Sequence, residues 1–266
     1  MAASLCKGLP PFFTNNPIRT AMKTNHFLTA ALAAVLAAGA CVVVPALSVD
    51  RHADKLWLHR CNSVEKYAEM HTRYPNVEVD VVFRPEGYFD VTHDADTTFG
   101  LTLDSLLGQT AMGGGNYWLD IKNLTPQNQS DMLSEVDRLC TAYNLSPHRL
   151  ILESPRWHLL APFTRRGYYT SCYVAYEKPS RLPRTELSAC IDSLRRVADS
   201  GMVRALSFPG WWYASIRRHL HRSIDLLTWK HRTTQFEFFL TSEGWRMLRD
   251  KQLKVVLIKD KGHYHR

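Results

Sequence analysis

The sequence predicts a closed eight-stranded α/β barrel, a single (β/α)8 TIM-type unit, on three observations. Eight short apolar runs rich in Val, Ile, Leu and Tyr recur along the chain; stretches with helical spacing separate several of them; and no glycine-rich nucleotide loop follows the first run. Strands joined by helix-length crossovers pair in parallel. A count of eight then fits a closed barrel better than an open, doubly wound sheet.

The strand candidates are "LWLHR" (56 to 60), "VEVDVVF" (77 to 83), "YWLDIK" (117 to 122), "RLILES" (149 to 154), "YTSCYVAY" (169 to 176), "VRALSF" (203 to 208), "IDLLTWK" (224 to 230) and "LKVVLIKD" (253 to 260). Helical spacing is clearest over 64 to 72, 127 to 143, 184 to 199 and 241 to 250. "MGGGN" (112 to 116) precedes a strand and lacks a following Lys-Ser or Lys-Thr, so it reads as a flexible turn and not as a phosphate loop. The barrel would occupy residues 48–266 without an internal repeat or linker. That is somewhat short for the fold, so some of its helices should be reduced or missing.

Residues 1–47 read as an N-terminal extension followed by an export segment. From Met22 the chain has a basic start at Lys23, an apolar run, and the small residues Ala38, Gly39 and Ala40 before Cys41. This is the pattern of a cleaved secretory signal. "LAAGAC" also resembles a lipoprotein signal with Cys41 lipidated, and Phe27 to Leu47, free of charge, is long enough for a retained membrane anchor. Each version places the barrel outside the cytoplasm, periplasmic or secreted. Four cysteines remain beyond this segment, Cys61, Cys140, Cys172 and Cys190. An oxidising compartment permits disulfides among them, and four separate buried thiols fit equally well. No CxxC is present, which argues against a thiolate zinc site.

The formal net charge is +8, and residues 1–47 hold three basic residues and no acidic one. The basic excess left for the barrel is modest. It suits approach to a phosphate group or an anionic membrane surface, and no Lys/Arg-rich stripe with interleaved aromatics points to nucleic acid.

Polar residues interrupt the apolar runs in one pattern. His59 and Arg60 end the first strand candidate, Glu78 and Asp80 share a face of the second, His93 follows in a loop, and Asp120 and Lys122 share a face of the third. An inward carboxylate in a barrel is costly unless something positive meets it. Glu78, Asp80 and Asp120 converging from neighbouring strands make a site for a hard divalent cation, Mg2+ or Ca2+. His59 and His93 would flank it as general acid and general base. Arg60 and Lys122 would neutralise the non-bridging oxygens of a phosphate. Together these parts describe phosphodiester cleavage. Trp229, and Trp211 in "FPGWW" (208 to 212), are candidates for lining a substrate pocket. Trp211 and Trp212 cannot both point inward, so one belongs near the mouth. Glu153 ends the fourth strand candidate and is a supporting candidate.

That order of motifs resembles the glycerophosphodiester phosphodiesterase superfamily from residue 57 to about 122, and "LLTWK" (226 to 230) resembles its seventh strand. The resemblance implies a barrel that cuts phosphodiesters with a divalent metal. His59 and Arg60 fall on the family's His-Arg pair, Glu78 and Asp80 on its metal carboxylates, His93 on its second histidine and Lys122 on its phosphate-contacting lysine. The chain departs from the family at Cys61, where a glycine is usual, at "NSVEKY" in place of Pro-Glu-Asn-Thr, and at Asp120 in place of glutamate. Asp-x-Lys and "EVDVVF" resemble the sphingomyelinase D branch, and "NSVEKY" the menorin branch. The expected function is metal-dependent hydrolysis of a glycerophosphodiester or related lipid head group. The alternatives are a phospholipase D-like phosphoryl transfer that forms a cyclic phosphate, and a catalytically silent extracytoplasmic barrel that binds lipid or phosphate.

Overall fold

In a computed structural model, which describes residues 49–230, 234–260 and 263, eight parallel strands close into a barrel. They are β1 (Leu56–Leu58), β2 (Val77–Phe83), β4 (Tyr117–Ile121), β5 (Leu150–Ser154), β6 (Tyr169–Tyr173), β7 (Ala205–Pro209), β8 (Asp225–Trp229) and β9 (Leu253–Ile258). β1 pairs with β9 on one side and β2 on the other, which closes the sheet. Every predicted run supplies one of these strands. The predicted export segment, residues 1–47, and the final "HYHR" apart from His263 lie outside the described residues.

One strand had no counterpart in the sequence reading. β3 (Phe89–Val91) pairs antiparallel with the end of β2 as a short appendage at the rim. At three residues it is too brief to show an alternation, and it forms because the chain doubles back at Gly87, which adopts φ 87°.

The helices are α1 (Val64–Met70), α2 (Leu103–Thr110), α3 (Gln129–Ala142), α4 (Ala161–Arg165), α5 (Arg184–Asp199), α6 (Tyr213–His219), α7 (Gln235–Phe239) and α8 (Ser242–Arg249). Several are two turns or fewer, as the short chain requires. Among the described residues no helix is long and apolar enough to cross a membrane. α2 is not among the stretches of clearest helical spacing, although its start is marked: Thr102 accepts a hydrogen bond from the Ser105 backbone N–H at 3.0 Å, and Asp104 sits in the first turn. Cys61, Cys140, Cys172 and Cys190 are free thiols, and Cys190 is the one of them that is not buried.

The strands are buried on both faces, which is why they read as near-continuous apolar runs. Trp57, Trp118, Ile151, Ala205, Leu227, Trp229, Val255 and Leu257 fill the barrel interior. Register then fixes what stands above this layer. Glu78 is level with Trp118, and Asp80 is level with Asp120, which is level with Glu153 and so with Ser171. Asp80, Asp120, Glu153 and Ser171 therefore share one row across β2, β4, β5 and β6, with Glu78 two residues earlier on the same face of β2.

At the opposite end, the "MGGGN" segment is a packed turn and not a flexible one. Gly114 at φ 76° closes a 3-10 turn, and Gly115 is buried against the chain leading into β2. A Cβ on Gly115 would lie 1.8 Å from the Pro75 carbonyl oxygen. Beside it, Asn76 accepts from the Asn116 backbone N–H at 2.9 Å and donates to the Ala53 carbonyl at 2.7 Å, which ties β1, β2 and β4 together. Gly115→Ala should therefore destabilise the fold by about 1–3 kcal/mol, since backbone must move to admit one methyl group. Denaturant titration checks this, and an unchanged midpoint would refute the close approach.

Candidate active site

The site begins with a turn. His59 still donates to β9, its N–H meeting the Ile258 carbonyl at 2.9 Å, but Arg60 turns to φ 55°, a left-handed conformation uncommon outside glycine. Three contacts hold it there. The Arg60 N–H donates to Glu78 Oε2 at 2.7 Å, the Cys61 N–H to the Glu78 carbonyl at 2.8 Å, and the buried Lys66 ammonium to the carbonyls of His59 at 3.1 Å and Arg60 at 2.7 Å. Burial pushes the Lys66 pKa down. Lys66 reaches this turn because Ser63 starts α1, its hydroxyl accepting from the Lys66 N–H at 3.1 Å. The segment "NSVEKY" thus supplies two elements the sequence reading left without a role.

The other is Asn62. Its side chain donates to Asp80 Oδ2 at 2.8 Å and accepts from the Asp80 N–H at 3.0 Å, fixing both ends of that residue. Neither role was readable from local spacing, because Asn62 depends on a partner 18 positions away and Lys66 on a turn that only the closed barrel creates.

Glu78, Asp80 and Asp120 come together as expected, each offering an oxygen within 4.8 Å of the others. Glu78 and Asp80 are 2% exposed. Burial, with the charges of Asp80 and Asp120 added, pushes the Glu78 pKa well up. Burial acts the same way on Asp80 but is outweighed there by Lys122, Asn62 and Arg60, which hold it low. Burial also raises Asp120, against the pull of Lys122. Lys122 Nζ is 2.6 Å from Asp80 Oδ1 and also contacts Asp120, and Arg60 Nε stands 3.7 Å from Asp80 Oδ2. Burial disfavours the Lys122 ammonium, yet its carboxylate neighbours win and raise its pKa. The all-oxygen donor set, with its excess of negative charge, fits a hard divalent cation held by Glu78, Asp80 and Asp120.

His59 Nε2 is 3.7 Å from Glu78 Oε2. His93 lies on the excursion after β3, half-exposed, its Nδ1 2.6 Å from Asp94 Oδ1. That excursion is organised by Arg84, whose guanidinium donates to Asp90 at 2.6 Å and to the Ala95 carbonyl at 2.6 Å. The two imidazoles, Arg60, Lys122 and the three carboxylates all line one cavity of about 530 Å³ at the C-terminal mouth. Trp229 and Trp211 line it too; Trp211 is 40% exposed at the rim while Trp212 is fully buried, so the tryptophan pair divides as expected. Trp229 stacks on Tyr173 with ring centroids 5.2 Å apart. Glu153 and Trp118, which face the same cavity, are buried with Glu153 Oε2 and Trp118 Nε1 lacking a hydrogen-bond partner. The Cys61 thiol, pushed up to about 12 by burial, is no nucleophile.

No protein-family model matches the sequence, and no curated protein matches it. Solved structures do match in fold. A glycerophosphodiester phosphodiesterase from Parabacteroides distasonis superposes with a TM-score of 0.52 at 12% identity, covering 77% of this chain and 93% of that one. A phosphodiesterase from Oleispira antarctica, solved with its product sn-glycerol-3-phosphate, gives 0.53 at 13% identity, covering 79% and 95%. At such identity the likeness is one of fold.

Glu153 yields a pH prediction. Burial first, then the charge of Asp120, raises its pKa well above the ordinary 4.5, against a hydrogen bond from Ser207. Between the unfolded and folded pKa values the folded chain keeps a proton that the unfolded chain releases. The stability this group contributes is complete below the unfolded value and is lost as pH rises through the folded one. Without added cation, Glu153→Gln should raise Tm over wild type at pH 8 by roughly 2–4 °C for each kcal/mol relieved, with the gap closing towards pH 4. Thermal unfolding at both pH values checks this; a gap independent of pH contradicts it.

Proposed function

We propose that this chain is a divalent-cation-dependent phosphodiesterase that hydrolyses a glycerophosphodiester or a related lipid head group. The observation that carries this reading is the convergence of three carboxylates, two imidazoles, Lys122 and Arg60 on one cavity at the barrel mouth. The fold shared with phosphodiesterases supports it. Binding alone would not require a pair of proton-transfer groups beside a cation site.

A cation held by Glu78, Asp80 and Asp120 would supply Lewis-acid polarisation of a phosphoryl oxygen. Arg60 and Lys122 would bind the remaining phosphoryl oxygens, Lys122 exchanging part of its carboxylate contact for phosphate. One of His59 and His93 would take the proton of the attacking hydroxyl and the other would return a proton to the leaving oxygen. Trp229, Tyr173 and Trp211 would carry the apolar part of the substrate, with the exposed Trp211 suited to a membrane surface. Export through the signal within residues 22–47 would bring the barrel to extracytoplasmic phosphodiesters.

The test is a panel of phosphodiesters assayed with Mg2+ or Ca2+ and with chelator. Chelation should abolish turnover and either cation restore it, and His59→Ala should lower kcat by about 10²–10⁴. Turnover that survives both treatments overturns the proposal. Glu78→Gln should weaken cation binding in calorimetry while the circular dichroism of the barrel persists, and unchanged binding would remove Glu78 from the ligand set.

A further inference from the structure

The geometry points to Trp118 and Glu153 as a hydroxyl-reading subsite in the wall of the cavity, one that selects phosphoryl compounds whose alcohol carries a free hydroxyl group and disfavours quaternary ammonium head groups. This rests on the phosphodiesterase reading only for the phosphate half of the ligand.

Among the described residues, Trp118 Nε1 and Glu153 Oε2 are the two buried side-chain polar atoms without a hydrogen-bond partner. Folded chains retain few such atoms, and a pair facing one cavity is a reason to look for what they recognise. Trp118 is fully buried and Glu153 2% exposed, and both line the cavity that holds the carboxylate cluster. Their heights follow from register. Glu153 stands level with Asp120, and Trp118 is level with Glu78 on the neighbouring strand. Both therefore flank the carboxylate cluster, within reach of a ligand anchored there.

The two orphans have opposite hydrogen-bonding sense. An indole N–H only donates, and a carboxyl oxygen accepts. A hydroxyl group donates one bond and accepts another, so it answers both. A primary ammonium group donates only and leaves Trp118 unanswered. A quaternary ammonium group has no hydrogen bond to give either atom, and a second phosphate, an acceptor, has nothing to donate to Glu153. The stacked Tyr173 and Trp229 rings, with Leu257, offer the same ligand an apolar wall for its carbon skeleton. Sites built to bond a hydroxyl group reject analogues that lack it, because the buried partners are then stranded.

The test follows the tryptophan indole N–H resonances of the 15N-labelled full chain in the presence of Mg2+, with the Trp118 signal identified by its loss in Trp118→Phe. Glycerol-3-phosphate should shift the Trp118 signal and bind at least about tenfold more tightly than phosphocholine, which should leave that signal in place. Trp118→Phe and Glu153→Leu should each bring the ratio of the two affinities towards one. A Trp118 signal that ignores glycerol-3-phosphate, or moves equally with both compounds, overturns the subsite. So does a Glu153→Leu protein that loses Mg2+ affinity in calorimetry as Glu78→Gln does, since Glu153 would then be a cation ligand. Discrimination in a protein that hydrolyses no diester would support the subsite and overturn the phosphodiesterase reading, which keeps the two failures distinct.

Discussion

The crowding of Glu78, Asp80 and Asp120 within 4.8 Å is the constraint from which the rest of this end of the barrel follows. Like charges at that separation, shielded from water, repel strongly. Each carboxylate is answered by a donor: Glu78 by the Arg60 N–H, Asp80 by Asn62 and Lys122, and Asp120 by the same Lys122. The Arg60 contact in turn demands a left-handed residue, and the Lys66 ammonium ties down the carbonyls on both sides of it. The sheet register, the unusual turn and a buried lysine are thus parts of one electrostatic arrangement.

Towards the other end the interior is apolar, with Trp57, Ile151, Leu227 and Val255 packed together. The barrel supplies both halves of this stratification through the two-residue alternation of its strands. On β2 and β4 the inward positions near the C-terminal ends carry charge, while the inward positions of the opposite end are apolar.

Much of this was legible in the sequence because it is written at that two-residue spacing. Glu78 with Asp80 and Asp120 with Lys122 announce a shared face whatever lies around them, and the eight apolar runs need no tertiary knowledge. What stayed hidden depends on partners far along the chain. Asn62 and Lys66 look like ordinary polar residues until the closed sheet brings Asp80 and the His59 carbonyl beside them. Glu153 is conspicuous in a strand, yet only its neighbours reveal that one oxygen has no partner. β3 was too short for any pattern, and the packed Gly115 resembled part of a flexible turn because its constraint, the Pro75 carbonyl, belongs to another segment.

The arginine that organises the excursion after β3 also separates the histories of the two imidazoles. His59 is welded to the sheet through β9 and the Lys66 clamp, so any displacement of it disturbs the barrel. His93 instead rides on a scaffold of its own, an appended hairpin and a guanidinium that gathers Asp90 and the carbonyls of Ala95 and Thr97. Insertions or substitutions within that scaffold can relocate His93 while His59 stays put. The mouth of the barrel can therefore be reshaped on one side by editing a peripheral ornament, with the load-carrying sheet left untouched.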